Sequence, residues 1–218
     1  MKLVKPSFEI LDIYGDLQSI EKIGRTCYKS EDNITDDSAK KFVENIIKRG
    51  HHSVLEHSAI SVKLIVDLGV THEAVRHRLC AFSQESTRYC NYKGGVTFII
   101  PGWTKGIREG TYNHNDVWMD EDYWKIVDPM ENRWFSHMAD SEECYIAMLN
   151  KGWTPQQARS VLPKSLKTEI NITANFREWR HIFKLRCSKA AHPQMREVMI
   201  PLKEEIQKRI PIIFDDCE

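Results

Sequence analysis

The sequence lacks the features that mark several specialised protein classes. Its formal net charge is zero, because 31 Lys and Arg residues balance 31 Asp and Glu residues, and a chain without a cationic excess is not expected to hold a nucleic-acid polymer. Its six cysteines form no Cys-x-x-Cys pair, and no apolar stretch approaches the ~20 residues of a membrane span. No Gly-x-Gly-x-x-Gly segment occurs, which argues against a Rossmann dinucleotide site. We therefore expect a cytoplasmic protein with reduced thiols and no membrane partner.

Apolar periodicity predicts alternating strands and helices within one domain over residues 1–218. No internal repeat or low-complexity linker interrupts the chain. Strands are predicted at 7–11, 59–67, 96–100 and 168–174. Helices are predicted at 16–23, 36–48, 129–150, 176–187 and 194–209, and Asp16 is the predicted cap of the first. Two more are predicted, one capped by Thr71 and carrying Val75 and Leu79, and one that begins with a capping box at Thr154. Residues 102–118 lack periodicity and are expected to form a loop or lid. This order favours an α+β fold with a mixed or antiparallel sheet flanked by helices.

The most informative segment runs from Arg76 to Tyr89, where three arginines, a histidine and two serines fall within fourteen residues. Guanidinium forks match phosphate and carboxylate oxygens bidentately, so the segment is interpreted as an anion-binding site. The alternative is a charged helix end followed by a polar, solvated loop. On their own, the residue types leave both interpretations open.

The spacing of these residues resembles the signature of the flavin-dependent thymidylate synthases. Arg-His-Arg at 76–78 is followed after seven residues by Ser86 and then by Arg-Tyr at 88–89. Three further segments are similar to motifs of the same family. They are Gly-His-x-Ser-x-x-Glu-His at 50–57, Ala-Arg-x-x-Leu-Pro at 158–163, and an Asn-x-Arg and Leu-Arg block at 175–186.

The resemblance implies a single-domain fold of this family and the reductive methylation of dUMP to dTMP. It implies FAD as cofactor, NADPH as reductant and 5,10-methylenetetrahydrofolate as carbon donor, with release of tetrahydrofolate. A cofactor is needed because no protein side chain supplies hydride. The resemblance also implies a homotetramer whose active sites lie at subunit junctions.

The same resemblance assigns the site residues. Contacts with FAD are predicted for His51, Ser53, Glu56, Arg76, His77, Arg78, Asn175, Arg177 and His181. Contacts with dUMP are predicted for Glu73, Gln84, Glu85, Ser86, Arg88, Arg159 and Arg186. The three arginines of this second set are expected to fix the phosphate and polarise the uracil oxygens. Ser86 and Arg186 are the predicted catalytic residues. Ser86 is expected to position the substrate, with a nucleophilic role as the alternative, because the motif offers no evident Ser-His-acid arrangement.

The sequence departs from the family pattern at several places. Gln84 follows Ser83 where the family often has Asn-Glu, and Glu73 follows His72 where it often has Arg-Gln. Residues 187–194 are longer than the familiar spacing, and the predicted site therefore does not extend beyond Arg186. These departures leave open the alternative that the chain is a homologue that binds flavin but has lost synthase activity.

Two other functional classes remain as alternatives. A metal-dependent hydrolase would use the histidines at 51, 52, 57, 72 and 77. No His-Glu-x-x-His segment occurs, however, and no metal is predicted. A nucleic-acid-binding protein would use the arginines as a phosphate clamp and the aromatic side chains as stacking platforms. The zero net charge argues against this second class.

Four residues near the motifs have secondary predictions. Cys80 and Cys90 are expected to be structural, since Cys80 is predicted at an apolar helical position and buried free cysteine commonly packs in cores. Tyr92 and Trp103 are candidates for an exposed aromatic ring that stacks on the pterin of folate.

Overall fold

The computed structural model describes residues 1–113 and 127–217, so residues 114–118 of the predicted loop lie outside the described residues. The strands are β1 (Lys2–Val4), β2 (Ser7–Tyr14), β3 (Ala59–Asp67), β4 (Ala81–Gln84), β5 (Thr97–Ile99), β6 (Gly110–Thr111) and β7 (Lys167–Asn175). The helices are α1 (Leu17–Tyr28), α2 (Ser38–Lys48), α3 (Leu68–Ala74), α4 (Pro129–Asn150), α5 (Pro155–Ala158), α6 (Phe176–Arg186) and α7 (Pro193–Arg209). Short 3₁₀ helices lie at Glu31–Asn33, His52–His57 and Arg159–Val161.

The strands form two sheets. The three-stranded sheet has the order β5-β1-β6, in which β1 is parallel to β5 and antiparallel to β6. Its register places Leu3 opposite Phe98 on one side and Gly110 on the other. The four-stranded sheet has the order β2-β3-β7-β4. Mixed pairing among strands that alternate with helices confirms the predicted α+β class. None of the described helices combines the length and apolar character that a membrane crossing requires.

The chain divides into two compact units, each assembled from three segments. Unit 1 comprises Met1–Ser7, Ile65–Ala74 and Gln84–Ile170. Unit 2 comprises Phe8–Leu64, Val75–Ser83 and Asn171–Glu218. Each unit therefore contains candidate site residues from more than one motif, and the segment from Arg76 to Tyr89 contributes to both units.

The core of unit 1 forms around β1, β5 and α4. Leu3 and Phe98 are buried in it, and Tyr145 on α4 has no exposed surface. Helix α4 has the predicted bounds, and its N-cap Asp128 accepts a hydrogen bond from Met130 N at 2.7 Å. This core supports the loops that carry the first candidate site.

The core of unit 2 contains β3 and α6. Ile60, Val62 and Leu64 alternate along β3 and are fully buried, which confirms the predicted strand. Trp179 and Phe183 on α6 are also fully buried, and Trp179 Nε1 donates to Ile60 O at 3.0 Å. Burial of each such side chain contributes roughly 1.5–3 kcal/mol relative to exposure. Helix α6 is thereby anchored on one face, which leaves its other face for the functional side chains.

The predicted cap of α1 is confirmed. Asp16 Oδ1 accepts hydrogen bonds from Ser19 Oγ at 2.6 Å and from Ser19 N at 2.7 Å. These two bonds lower the pKa of Asp16. The helix runs beyond the predicted end to Tyr28 and stops where Lys29 adopts a left-handed conformation with φ 49°.

The short helix predicted from Thr71 begins earlier in the structure. Helix α3 starts at Leu68, and Asp67 Oδ1 accepts a hydrogen bond from Val70 N at 2.8 Å. Thr71 is fully buried within the helix, and its hydroxyl donates to Leu68 O at 3.1 Å. Asp67 therefore has the capping role that was predicted for Thr71, and Thr71 is buried inside the helix.

The segment after α3 also differs from the prediction. Val75 and Leu79, expected on an apolar helix face, are 39% and 76% exposed. The prediction that placed Cys80 at a helical position is wrong, because the chain leaves the helix at Ala74 and turns until β4 begins. The sequence reading missed β4, which is only four residues long and too short for a clear alternating pattern.

Candidate active site

The first candidate site is a cavity of about 380 Å³ within unit 1. Its apolar wall consists of Leu68, Leu162 and Leu166. Its polar lining consists of His72, Gln84, Glu85, Thr87, Arg159 and Ser160. Three of the residues predicted to contact the nucleotide, Gln84, Glu85 and Arg159, therefore meet in one cavity. A flat ring can pack against the apolar wall of this cavity, and an anionic group can bind at Arg159.

Local sequence explains how Arg159 reaches this cavity. Pro155 starts α5, and Gln157 Oε1 accepts a hydrogen bond from Thr154 N at 2.9 Å, as the predicted cap requires. The helix ends after one turn and continues as the 3₁₀ helix that carries Arg159. Arg159 Nη1 donates to Thr87 Oγ1 at 2.9 Å. A guanidinium has five N–H donors, so others remain available for an anion.

The hydrogen bonds of Gln84 account for the amide at this position. Gln84 Nε2 donates to Thr71 Oγ1 at 3.2 Å and to Thr168 Oγ1 at 3.3 Å. The hydroxyl hydrogen of Thr71 is already donated to Leu68 O, so its partner must supply a hydrogen. An amide does this and an ionised carboxylate does not. The amide of Gln84, at a position where the family often has glutamate, therefore fits the hydroxyl acceptors of Thr71 and Thr168.

The carboxylate of Glu85 has two partners that sequence reasoning missed. Tyr92 OH donates to Oε1 at 2.8 Å, and Lys167 Nζ donates to Oε2 at 3.2 Å. Tyr92 is half-buried and its ring packs 5.9 Å from that of Tyr145, so it is not the exposed aromatic that the sequence suggested. Trp103 is 57% exposed. No sequence signal connects residues 85 and 167, which only the fold brings together.

Three other residues predicted to contact the nucleotide lie in unit 1 but do not line this cavity. Ser86 Oγ accepts a hydrogen bond from Arg88 N at 3.3 Å. Within residues 1–113 and 127–217 no histidine or carboxylate is hydrogen-bonded to Ser86 Oγ. The Arg88 guanidinium lies 5.4 Å from the centre of the Tyr89 ring, and Glu73 is half-buried on α3. The surroundings of Ser86 therefore suit a hydroxyl that positions the substrate better than an activated nucleophile.

The second candidate site lies in unit 2, where His77 meets one end of α6. His77 is buried, its Nε2 accepts a hydrogen bond from Arg186 Nε at 2.9 Å, and its ring lies 5.7 Å from that of His181. Its Nδ1 lies 3.4 Å from Glu178 Oε1. The fold thus unites three predicted residues and adds Glu178. Asn175 caps α6 by accepting from Glu178 N at 2.8 Å, and this Asn-x-x-Glu spacing was the available signal for the helix start.

The protonation state of His77 follows from this environment. Burial, followed by the electrostatic effects of Arg186 and His181, lowers the pKa of His77 from 6.5 to about 4. The ring is therefore neutral near neutral pH. Because Nε2 accepts from Arg186, the single ring proton lies on Nδ1 and faces Glu178.

We expect the free energy of unfolding to fall as the pH drops from about 6.5 to about 4, with His77 as a contributor. Across this interval the unfolded chain binds a proton at this residue that the folded chain does not bind. The stabilisation is complete above the unfolded pKa of 6.5 and is lost as the pH falls through the folded pKa of about 4. Urea unfolding of the wild type and His77→Gln at successive pH values measures the effect. The stability advantage of the wild type should shrink through the interval, and a constant difference would contradict the assignment.

Three potential metal ligands also converge in unit 2. One ligand atom each from His77, Glu178 and His181 lies within 4.8 Å of the others. The metal-dependent alternative considered from the sequence used the histidines at 51, 52, 57, 72 and 77, and His77 is the member that the two sets share. The Arg186 guanidinium bonds the other nitrogen of His77, and its positive charge disfavours a cation at this point. The cluster is better suited to a polar organic ligand.

A larger cavity of about 830 Å³ lies within unit 2. Its lining comprises His52, Arg177, Arg180, His181, Lys184, Cys187, Ser188, Lys189, Asp216 and Cys217. Asp216 pairs with Arg180 at 2.6 Å, whereas Lys184 and Lys189 pair with no other described residue. His52 Nε2 is buried without a hydrogen-bond partner among the described residues. The cavity therefore has a cationic excess and an unsatisfied polar atom, both of which suit an anionic ligand.

The remaining residues predicted to contact the cofactor are at the surface of unit 2. His51 Nδ1 is hydrogen-bonded to Tyr28 OH at 2.8 Å. Glu56 pairs with Arg177, and Ser53 is exposed. Arg76 and Arg78 are exposed and have no hydrogen bond or ion pair with another described residue. Their guanidiniums are available to a ligand or to another chain.

The environment of Cys80 determines whether its thiol could act as a nucleophile. Burial, followed by the negative charge of Glu178, raises the pKa of the Cys80 thiol to about 12. Since the thiolate is the reactive form, this thiol is poorly suited to nucleophilic attack at neutral pH. The structural role predicted for Cys80 is consistent with this environment, although its predicted helical position was wrong.

Comparison with known proteins identifies relatives along almost the whole chain. The family described as thymidylate synthase complementing protein matches residues 9–212. The chain is 31% identical over 211 residues to the flavin-dependent thymidylate synthase of Mycobacterium sp. (strain JLS), covering 95% of this chain and 82% of that protein. It is 30% identical over 216 residues to that of Corynebacterium glutamicum, with the same 95% and 82% shares. Among solved structures, the UMP/dUMP methylase PolB from Streptomyces cacaoi bound with 5-Br dUMP has a similar fold, with a TM-score of 0.78 at 23% identity over 99% of this chain and 96% of that chain.

Proposed function

Because the chain belongs to the family of flavin-dependent thymidylate synthases, we propose that it methylates dUMP to dTMP with FAD as cofactor. The observation that carries the proposal is the cavity of unit 1, where the Arg159 cation, polar side chains and an apolar wall occur together. A mononucleotide presents a phosphate, a hydroxylated sugar and a flat base, and these three chemistries match the lining.

The residues of unit 2 fit the flavin dinucleotide. Its pyrophosphate is anionic, and the larger cavity has unpaired lysines and a buried His52 nitrogen without a described partner. The residues proposed to hold FAD are His51, Ser53, Glu56, Arg76, His77, Arg78, Asn175, Arg177 and His181. When bound, FAD supplies the hydride that the methylation needs.

The nucleotide-binding residues have distinct proposed tasks. Arg88 and Arg159 bind the phosphate, because a guanidinium offers paired donors in the geometry of phosphate oxygens. Ser86 positions the substrate through its hydroxyl. Arg186 donates to a uracil oxygen and stabilises negative charge on that oxygen in the electron-rich form of the ring from which C5 attacks the carbon donor. Glu73, Gln84 and Glu85 complete the proposed set of contacts with dUMP.

The finer features of the function are part of the same proposal. NADPH reduces the cofactor, 5,10-methylenetetrahydrofolate donates the carbon, and tetrahydrofolate is released. The protein acts in the cytoplasm as a homotetramer with active sites at subunit junctions. Residues 1–218 act as one functional domain, with no metal and no nucleic-acid polymer. The support is the family resemblance of four separate motifs.

A spectroscopic experiment tests the proposed function. We expect the purified protein to show an oxidised-flavin absorbance spectrum. After anaerobic reduction by NADPH, the flavin should reoxidise and dTMP should form only when both dUMP and methylenetetrahydrofolate are present. Omission of either substrate is the control. A protein that stays colourless after addition of FAD contradicts the proposal, and a yellow protein that forms no dTMP indicates a flavoprotein without synthase activity.

A further inference from the structure

The carboxylate of Glu85 is held at the nucleotide cavity by bonds to both of its oxygens. Tyr92 OH donates to Oε1 at 2.8 Å, and Lys167 Nζ donates to Oε2 at 3.2 Å. Glu85 N also donates to Glu169 O at 2.8 Å, which fixes the backbone beside β7. Each carboxylate oxygen can accept a further hydrogen bond. The side chain is thus oriented without being saturated.

Both partners of Glu85 are themselves held in place. Lys167 Nζ also donates to Glu169 Oε1 at 2.6 Å, and Tyr92 packs against the fully buried Tyr145. Although burial by itself lowers the pKa of Lys167, its hydrogen bonds to Glu169 and Glu85 and their negative charges raise it overall. Burial and the hydrogen bond to Glu85 raise the pKa of Tyr92. Lys167 therefore remains a cation, and Tyr92 remains a hydrogen-bond donor, near neutral pH.

The lining of the cavity restricts what Glu85 can bind. A nucleotide phosphate is attracted by Arg159 and repelled by the Glu85 carboxylate, since both line the same cavity. Glu85 accepts hydrogen bonds and needs a donor from the ligand. The N3–H donor of uracil is flanked by two carbonyl oxygens, which repel a carboxylate. A sugar hydroxyl has no flanking acceptor, and a deoxynucleotide 5′-monophosphate has only its 3′-hydroxyl free.

We propose that Lys167 and Tyr92 are positioning residues that hold the Glu85 carboxylate so that it accepts a hydrogen bond from the 3′-hydroxyl of the bound deoxynucleotide. This rests on the proposed function for the identity of the nucleotide. Lys167 and Tyr92 are outside every motif that pointed to the site. Their role is to orient Glu85, and neither touches the reacting atoms.

Binding of two ligands to the flavin-loaded protein tests the contact. The ligands are dUMP and its 2′,3′-dideoxy analogue, and calorimetric titration gives Kd for each. Glu85→Gln is expected to raise Kd for dUMP about tenfold or more, the effect of losing a charge-assisted hydrogen bond. Kd for the dideoxy analogue should not rise, because this ligand has no hydroxyl to lose and a neutral amide repels its phosphate less than the carboxylate does. Equal weakening of both ligands, or no weakening of dUMP, would overturn the proposal.

The positioning role has its own readout. Lys167→Met and Tyr92→Phe are expected to raise KM for dUMP about threefold to tenfold, the size of one weakened hydrogen bond, while kcat and the flavin spectrum stay nearly unchanged. Kd for the dideoxy analogue should be nearly unchanged in both variants. Lys167→Arg should restore part of the dUMP affinity that Lys167→Met loses. Lys63→Met is the matched control, because Lys63 lies on β3 in an ion pair with Glu9 and outside this cavity. A loss of kcat with unchanged KM, or an equal effect of Lys63→Met, would show a merely structural role.

Failure of this inference can be told apart from failure of the proposed function. If the wild-type protein binds neither dUMP nor its analogue, the proposed substrate is wrong and the inference falls with it. If the wild type binds dUMP more tightly than the analogue but Glu85→Gln keeps that preference, another residue accepts the hydroxyl and only the inference fails.

Discussion

Replacement of Arg186 by alanine is expected to lower kcat/KM for dTMP formation by about a hundredfold to a thousandfold, the usual effect of removing one donor that stabilises developing charge. Arg186 lies at the end of α6 and bonds His77 through Nε at 2.9 Å. Alanine removes the proposed donor to uracil and leaves the buried His77 nitrogen without this partner. Steady-state kinetics with saturating folate and reductant give the measurement.

Two further variants make this result interpretable. Arg186→Lys keeps the charge but loses the planar fork, so it should recover only part of the activity. Arg209→Ala removes an exposed arginine that pairs with Glu205, and it should behave like the wild type. The pKa of His77 should rise in Arg186→Ala, because the Arg186 charge helps to lower it, and NMR titration can follow this. Full activity of a flavin-loaded Arg186→Ala protein would refute the catalytic assignment.

The Trp179→Ala variant is expected to lose about 3–5 kcal/mol of unfolding free energy, as is typical when a large buried aromatic side chain is removed. Trp179 has no exposed surface, packs 5.4 Å from the Phe183 ring and donates to Ile60 O. The substitution leaves a cavity beneath α6 and removes the donor to a buried carbonyl oxygen. Urea denaturation followed by circular dichroism measures the loss.

The size of the effect can be divided between packing and hydrogen bonding. Trp179→Phe keeps an aromatic ring but has no N–H, so we expect a smaller loss of about 1–3 kcal/mol. Trp153→Ala is the control, since Trp153 is 48% exposed and a surface substitution usually changes stability by less than about 0.5 kcal/mol. A loss below about 1 kcal/mol for Trp179→Ala would show that α6 is not anchored through this side chain.

The elements predicted correctly are those with strong local signals. Strand β3 and helix α4 have the predicted bounds, because nine alternating residues and a proline-started, capped helix are readable within a short window. Helix α3 was placed wrongly because Asp67 and Thr71 are both acceptable caps. The choice between them depends on which side chain the rest of the fold buries.

Resemblance of motifs supplied the residues of the candidate site but not their partners. It named His77 and Arg186, because both stand in its motifs at family spacing. It also named Glu85, which lies in the same segment one residue after the position where the family often has glutamate. It could not name Glu178 or Lys167, since neither stands in a position that the motifs mark. The roles of all these residues in catalysis stay predictions until the variants are measured.

By itself, the sequence determined the α+β class, the family and the chemical types available for binding an anionic nucleotide, because periodicity and motif spacing are local properties of the chain. Only the tertiary structure decided which of those side chains are neutral, paired or available. His77 is neutral because it is buried beside Arg186 and His181, and Glu85 is oriented because Lys167, 82 residues further along the chain, reaches it. Hydrogen bonds and desolvation depend on distances in space, and residues far apart in the sequence acquire such distances only when the chain folds.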